Sequence, residues 1–161
     1  MSDSLGTYLN DHLAGSAHTI DLVKSMRDDY AGKPLGDFAA SLLPEIEADR
    51  GMLQNLADRV GAGSSGLKEF AGWLGEKASR LKLGHDGKLG LGTFEALEFL
   101  VLGIHGKWAL WRALGAIAPD DSRLHGIDFD QLAARAESQR ESVEQWRLKA
   151  AHSALPQVKE L

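Results

Sequence analysis

The sequence predicts an all-α fold: four long amphipathic helices packed as an antiparallel bundle, with one long crossover carrying a short extra helix. Three observations carry this expectation. Apolar residues recur at three- and four-residue spacing in four separate stretches, no stretch alternates like a strand, and glycine- or proline-rich breaks fall between the stretches. With 161 residues, 43% of them hydrophobic and 25% charged, the chain can bury a substantial core as a single domain over 1–161.

The first long helix is expected over 4–30, where Leu9, Leu13, Ser16, Ile20, Val23 and Tyr30 share one stripe before Gly32, Lys33 and Pro34 stop it. The second is expected over 35–60, with Phe38, Leu42, Ile46, Leu53, Leu56 and Val60 inward and Asp49 in the same stripe. The apolar register passes through Pro44 without a break. It therefore predicts one kinked helix, with Ser41 the cap of a restart if the helix instead divides. Residues 61–66 (GAGSSG) break the pattern, and 67–83 reads as a shorter amphipathic helix with Phe70, Trp73, Leu74, Leu81 and Leu83 on its apolar face.

The next break, 84–92 (GHDGKLGLG), follows no strand and lacks the spacing of either glycine-rich phosphate motif, so it reads as a hinge. Thr93 is the expected cap of the third long helix, which carries Phe94, Leu97, Val101, Ile104, Trp108 and Trp111 and fades over 116–119. The fourth starts from Asp128 or Asp130, places Leu132, Ala136, Gln139, Val143, Trp146 and Ala150 inward, and closes at Pro156. Trp108, Trp111 and Trp146 stand at core spacing and read as bulk filling the bundle.

Composition removes several functions. The chain has 18 basic against 23 acidic residues, a formal net charge of −5, so there is no basic excess to collect nucleic-acid phosphates. Cysteine is absent, which excludes disulfides, thiolate metal sites and a cysteine nucleophile. The segment 1–13 lacks the basic start and apolar core of a secretion signal, and no apolar run reaches membrane-spanning length. A cytoplasmic protein is the expectation.

The stretch 9–26, LNDHLAGSAHTIDLVKSM, resembles the first-helix pattern of ferritins. Two long helices, a connection of roughly thirty residues and two further long helices resemble the ferritin-like superfamily as a whole. That resemblance implies a di-iron site, with a glutamate from each of two helices and a Glu-x-x-His pair from each of the others. Ser16 stands where the first glutamate is expected. Ile46 and Asp49 occupy one Glu-x-x-His spacing and Ala136 and Gln139 the other, while the third helix offers Glu98, Gly103 and His105. Such a site needs about four carboxylates to offset two cations, so the departures imply that ferroxidase or oxygen-activating chemistry does not carry over.

The expected function is therefore a non-enzymatic bundle without a cofactor, acting through self-association as a homodimer or through a protein partner. The alternative is an iron- or manganese-binding protein built on Glu45, Asp49, Glu98 and His105. A second alternative, a peripheral membrane protein, rests on Lys68, Lys77, Arg80 and Lys82 of the crossover helix. His12 and His18, six apart, face different ways and do not suggest a shared metal. Lying among apolar neighbours, Ser16, Asp49 and Gln139 are expected to form one buried polar layer, joined by a cation such as Lys107 or Arg140. On that expectation Asp49→Leu costs little, whereas Asp49→Ala leaves a gap.

Overall fold

A computed structural model describes residues 3–62 and 89–156, and among these every regular element is helical. Four long helices are present: α1, Ser4–Asp29; α2, Pro34–Val60; α3, Leu91–Ile117; and α4, Phe129–Ala154. Two 3-10 turns, Ala118–Asp120 and Ser122–Leu124, lie between α3 and α4. The expected crossover helix over 67–83, with Trp73 and its four cationic residues, lies outside the described residues.

Each helix starts and stops for a local reason. Asp3 accepts from the Leu5 amide at the start of α1, and Asp128 accepts from the Gln131 amide at the start of α4, each satisfying a donor that the first helical turn leaves open. Pro34 begins α2, where its fixed φ suits the first turn and its missing N–H is no loss. Gly61 ends α2 in the left-handed conformation at φ 74°, which costs a glycine little. Pro44 sits within α2 without dividing it, and the Ser41 hydroxyl donates back to the Asp37 carbonyl at 3.1 Å instead of capping a restart.

Thr93 departs from its expected place. It is two residues inside α3, fully buried, and shares a 2.6 Å hydrogen bond with the Tyr30 hydroxyl; Gly90 holds the cap position. A short hydroxyl after a glycine run carries the signal of a cap, and here the demand for a buried partner to Tyr30 prevails over it.

α1 packs chiefly along α2, and α3 along α4, giving two helical pairs. Contacts at the two ends relate these pairs. At one end the Tyr30 hydroxyl meets Thr93, so α3 begins where α1 finishes. At the other, Ala62 packs by Gly6 and the Arg59 guanidinium donates to the carbonyls of Arg123 and His125 at 3.3 and 3.2 Å.

The core fills the space between the pairs: Leu9, Leu13, Val23 and Met26 from α1, Leu35, Ile46 and Leu56 from α2, Leu97, Leu100, Ile104, Leu110 and Trp111 from α3, and Ala136, Val143 and Ala150 from α4. The small residues of α4 let the α3 side chains lie close. Trp111 is completely buried, whereas Trp108 and Trp146 are half-buried at the rim, where Trp146 packs on Phe38 at 5.9 Å.

Two glycines of α2 make opposite predictions. A Cβ on Gly36 would stand 2.0 Å from the Tyr30 carbonyl oxygen, a backbone atom that cannot yield, so the α1–α2 turn requires glycine there. A Cβ on Gly51 would meet nothing within 4 Å. Gly36→Ala should lower stability by at least ~2 kcal/mol, and Gly51→Ala should raise it by about 0.5–1 kcal/mol, both read from denaturant melts.

Candidate functional site

The middle of the bundle holds a charged layer. Asp49 of α2 is 2% exposed, and both its carboxylate oxygens are occupied. Lys107 of α3 approaches Oδ2 with its Nζ at 2.6 Å, and the Arg135 guanidinium of α4 bonds Oδ1. Gln139, 3% exposed and one turn beyond Arg135, completes the group. Its Oε1 accepts from Lys107 Nζ, while its Nε2 donates to Asp49 Oδ2 at 3.2 Å and to Glu45 Oε2 at 3.1 Å. Every polar atom of the Gln139 amide is thereby used, and three helices are bonded through one carboxylate.

The electrostatics follow from burial. Lys107 is 16% exposed in its side chain, and loss of water pushes its pKa below the usual lysine range, against the opposing pull of Asp49. A buried carboxylate is tolerable when cations and hydrogen bonds replace its water, and Lys107, Arg135 and Gln139 do so here.

The residues expected from sequence are distributed unevenly. Asp49 and Gln139 meet directly. Ser16 does not join them: its hydroxyl donates to the Leu13 carbonyl of its own helix at 2.7 Å, an outlet always open to serine within a helix. Of the two cations considered, Lys107 enters the layer, while Arg140, one position past Gln139, faces Glu137 at 3.8 Å.

Of the four metal-ligand candidates, Glu45 and Asp49 both reach Gln139, but the other two lie elsewhere. Glu98 is half-exposed and paired with Arg147 at 3.0 Å, about 13 Å along α3 from Lys107. His105 is exposed and stacks on Trp108, ring centroids 5.2 Å apart. Among the described residues no three of His, Asp and Glu converge in a way that could hold a metal ion. Glu98 and His105, seven apart, do share a helix face, but that face is turned away from Asp49. Sequence spacing shows that two residues share a face and not which way the face points.

Beside the charged layer, a pocket of about 300 Å³ opens between α1, α2 and α3. Ile46, Leu53, Phe99, Leu102, Ile104 and Leu110 supply most of its wall, and Gly15, Ser16, Gly103 and Gly106 leave the room for it. Asp11, His12, Asp49, Arg50, Lys107 and Trp111 also line it, and the lining is mostly apolar. Trp111 had read only as core bulk, and Arg50 carried no signal, since an arginine between Asp49 and Gly51 looks like any solvated charge. His12 packs edge-on against Tyr8 at 4.8 Å, and burial pushes its pKa below 6.5 despite the neighbouring Asp11.

Among the described helices none is long and apolar enough to cross a membrane. No family model, curated protein or solved structure matches the chain.

Two predictions come from these geometries. Asp49→Leu cannot be cheap, contrary to the expectation from sequence, because it removes the carboxylate that compensates the largely buried Lys107 ammonium and leaves it only the neutral Gln139 oxygen as a hydrogen-bond acceptor. It should cost about 3–5 kcal/mol, and Asp49→Leu combined with Lys107→Met should recover most of the loss in the same chemical melts. For His12, the unfolded side chain takes up its proton near 6.5 and the folded one at lower pH. Between those values the unfolded state binds more protons, so stability rises with pH and falls as the solution is acidified below 6.5. His12→Gln should flatten that part of the pH–stability curve.

Proposed function

We propose that this chain is a non-enzymatic bundle of ferritin-like connectivity, in which a salt-bridge layer stands in place of a metal centre and which acts by association with a second copy of itself. The connectivity is supported by the end contacts. With Tyr30 on Thr93 and Arg59 on the α3–α4 turn, α1 and α2 run antiparallel, α3 and α4 run antiparallel, and α2 and α3 run the same way. Those directions require one long crossover, as in ferritin-like bundles.

The observation that carries the non-metal reading is the position of Lys107 Nζ. An ammonium 2.6 Å from Asp49 and bonded also to Gln139 fills the space in which a cation would bind, and its charge opposes one. Ser16 and Gln139 are neutral, Ile46 and Ala136 have no donor atom, and Glu98 and His105 lie outside the layer. These residues do not fit a di-iron centre.

Self-association is supported by apolar side chains turned to solvent: Leu102 is 64% exposed on α3, and Leu148 is 44% exposed on α4. Paired across a two-fold axis, such faces bury apolar area that a monomer leaves wet.

Metal analysis of protein purified without an affinity tag, together with light scattering, tests both parts. The expected result is sub-stoichiometric iron and manganese, a melting temperature unmoved by chelator, and twice the chain mass at micromolar concentration. Stoichiometric metal whose removal lowers the melting temperature overturns the first part, and a monomeric mass overturns the second.

A further inference from the structure

Along the middle of its outward face, α3 lacks the polar side chains that water usually faces. Leu102, Ala109 and Ala116 follow one another at seven-residue steps, two helical turns each, and all three are exposed. Gly106 and Ala113 run beside them at the same step, so that apolar or small residues alternate three and four apart, the spacing of a seam between two helices. On α4 the exposed Leu148 stands among Glu141, Gln145 and Lys149, and no such row extends from it. Within the α3 row, Leu102 is a projecting side chain at 64% exposure, and Gly106 is an opening, since a Cβ there would meet nothing within 4 Å. A glycine inside a helix is disfavoured by roughly 1 kcal/mol relative to alanine, but it lets a second helix approach closely.

The charges beside the row point to the occupant. Glu98, His105 and Arg112 lie on one flank at seven-residue steps, with opposite charges equally far from His105 on either side. Arg112 is exposed and forms no ion pair or hydrogen bond among the described residues. Glu98 bonds Arg147 through Oε2 alone, which leaves Oε1 for a second cation. A two-fold axis crossing α3 at the level of His105 therefore brings Glu98 of each copy to Arg112 of the other. The same axis carries Leu102 of each copy onto Gly106 and Ala109 of the other. A different protein would require no such symmetry of charge, so the face is fitted to a second copy of this chain.

We infer that two copies associate through α3 packed antiparallel on α3 about a two-fold axis at His105, with Leu102 seated over Gly106 and Ala109 and a Glu98–Arg112 pair on each side of the axis. The inference rests on the self-association proposed above and names its surface and register.

The chain has no cysteine, so a single introduced thiol reports on a single contact. His105→Cys lies on the axis and should give a disulfide-linked dimer under mild oxidation. Glu95→Cys is exposed on the same face but about 15 Å along α3 from the axis, and it should stay unlinked. Leu102→Asp should show the mass of one chain by light scattering with its helical circular dichroism unchanged. Glu98→Arg and Arg112→Glu should each weaken the dimer about tenfold in sedimentation equilibrium, and the two together should restore it, which general destabilisation would not do. A dimer that survives Leu102→Asp, equal linking at residues 95 and 105, or no recovery in the double variant overturns the α3 interface and leaves self-association standing. A monomeric unmutated chain overturns both, and the α3 face then belongs to another occupant.

Discussion

A single buried carboxylate organises this molecule. Asp49 sits among leucine and isoleucine side chains where an uncompensated charge would be untenable, and its compensation comes from elements far away in sequence: Lys107 on α3, Arg135 and Gln139 on α4. Apolar packing in a bundle is tolerant, because a leucine finds similar neighbours one turn up or down. A carboxylate with both oxygens committed is not tolerant. Displacing α4 by one turn, about 5.4 Å, would break the bonds of Arg135 and Gln139 together. The hydrophobic stripes bring the helices to one another, and the ionic layer selects the register in which they stay.

On the proposed ferritin-like reading, the same layer takes the place that a metal centre would hold. A di-metal centre and a salt-bridge layer solve the same physical problem, since each neutralises polar groups projecting into the heart of a bundle. Iron does so from outside the chain, whereas Lys107 and Arg135 do so from within it. With the positive charge supplied covalently, a full set of carboxylates would be a liability, and the neutral or apolar residues at Ser16, Ile46, Ala136 and Gln139 agree with that arithmetic.

Much of the helical framework was legible in sequence. The 3.6-residue stripes, the breaks around Gly32 and Gly61 and the cap offered by Asp128 or Asp130, of which Asp128 takes the role, are local signals, and they place α1, α2 and α4 within a residue or two. Thr93 was misread because its role is set by Tyr30, 63 residues away. The presence of Asp49 and Gln139 on inward stripes was legible as well, since a polar residue among apolar ones stands out. Ser16 had the same signature, but its hydroxyl has a partner in its own helix, which no periodicity can reveal. Arg50 and the emptiness at Gly106 were invisible for a different reason: both depend on what is missing from neighbouring helices, and a sequence records only what is present.

The connections within the two pairs, four and eleven residues long, are short beside the separation of the ionic contacts and have a kinetic meaning. α1 joins α2 through residues 30–33, locked by the close approach of Gly36 to the Tyr30 carbonyl, and α3 joins α4 through residues 118–128. Short loops close quickly and at small entropic cost, so each pair can form as a local hairpin. The contacts of Asp49 with Lys107 and Arg135 are then the long-range ones, separated by 58 and 86 residues. In a route where each pair forms first, stripping water from those charges falls at the encounter of the two pairs, and the barrier to joining them is then partly electrostatic and responsive to ionic strength.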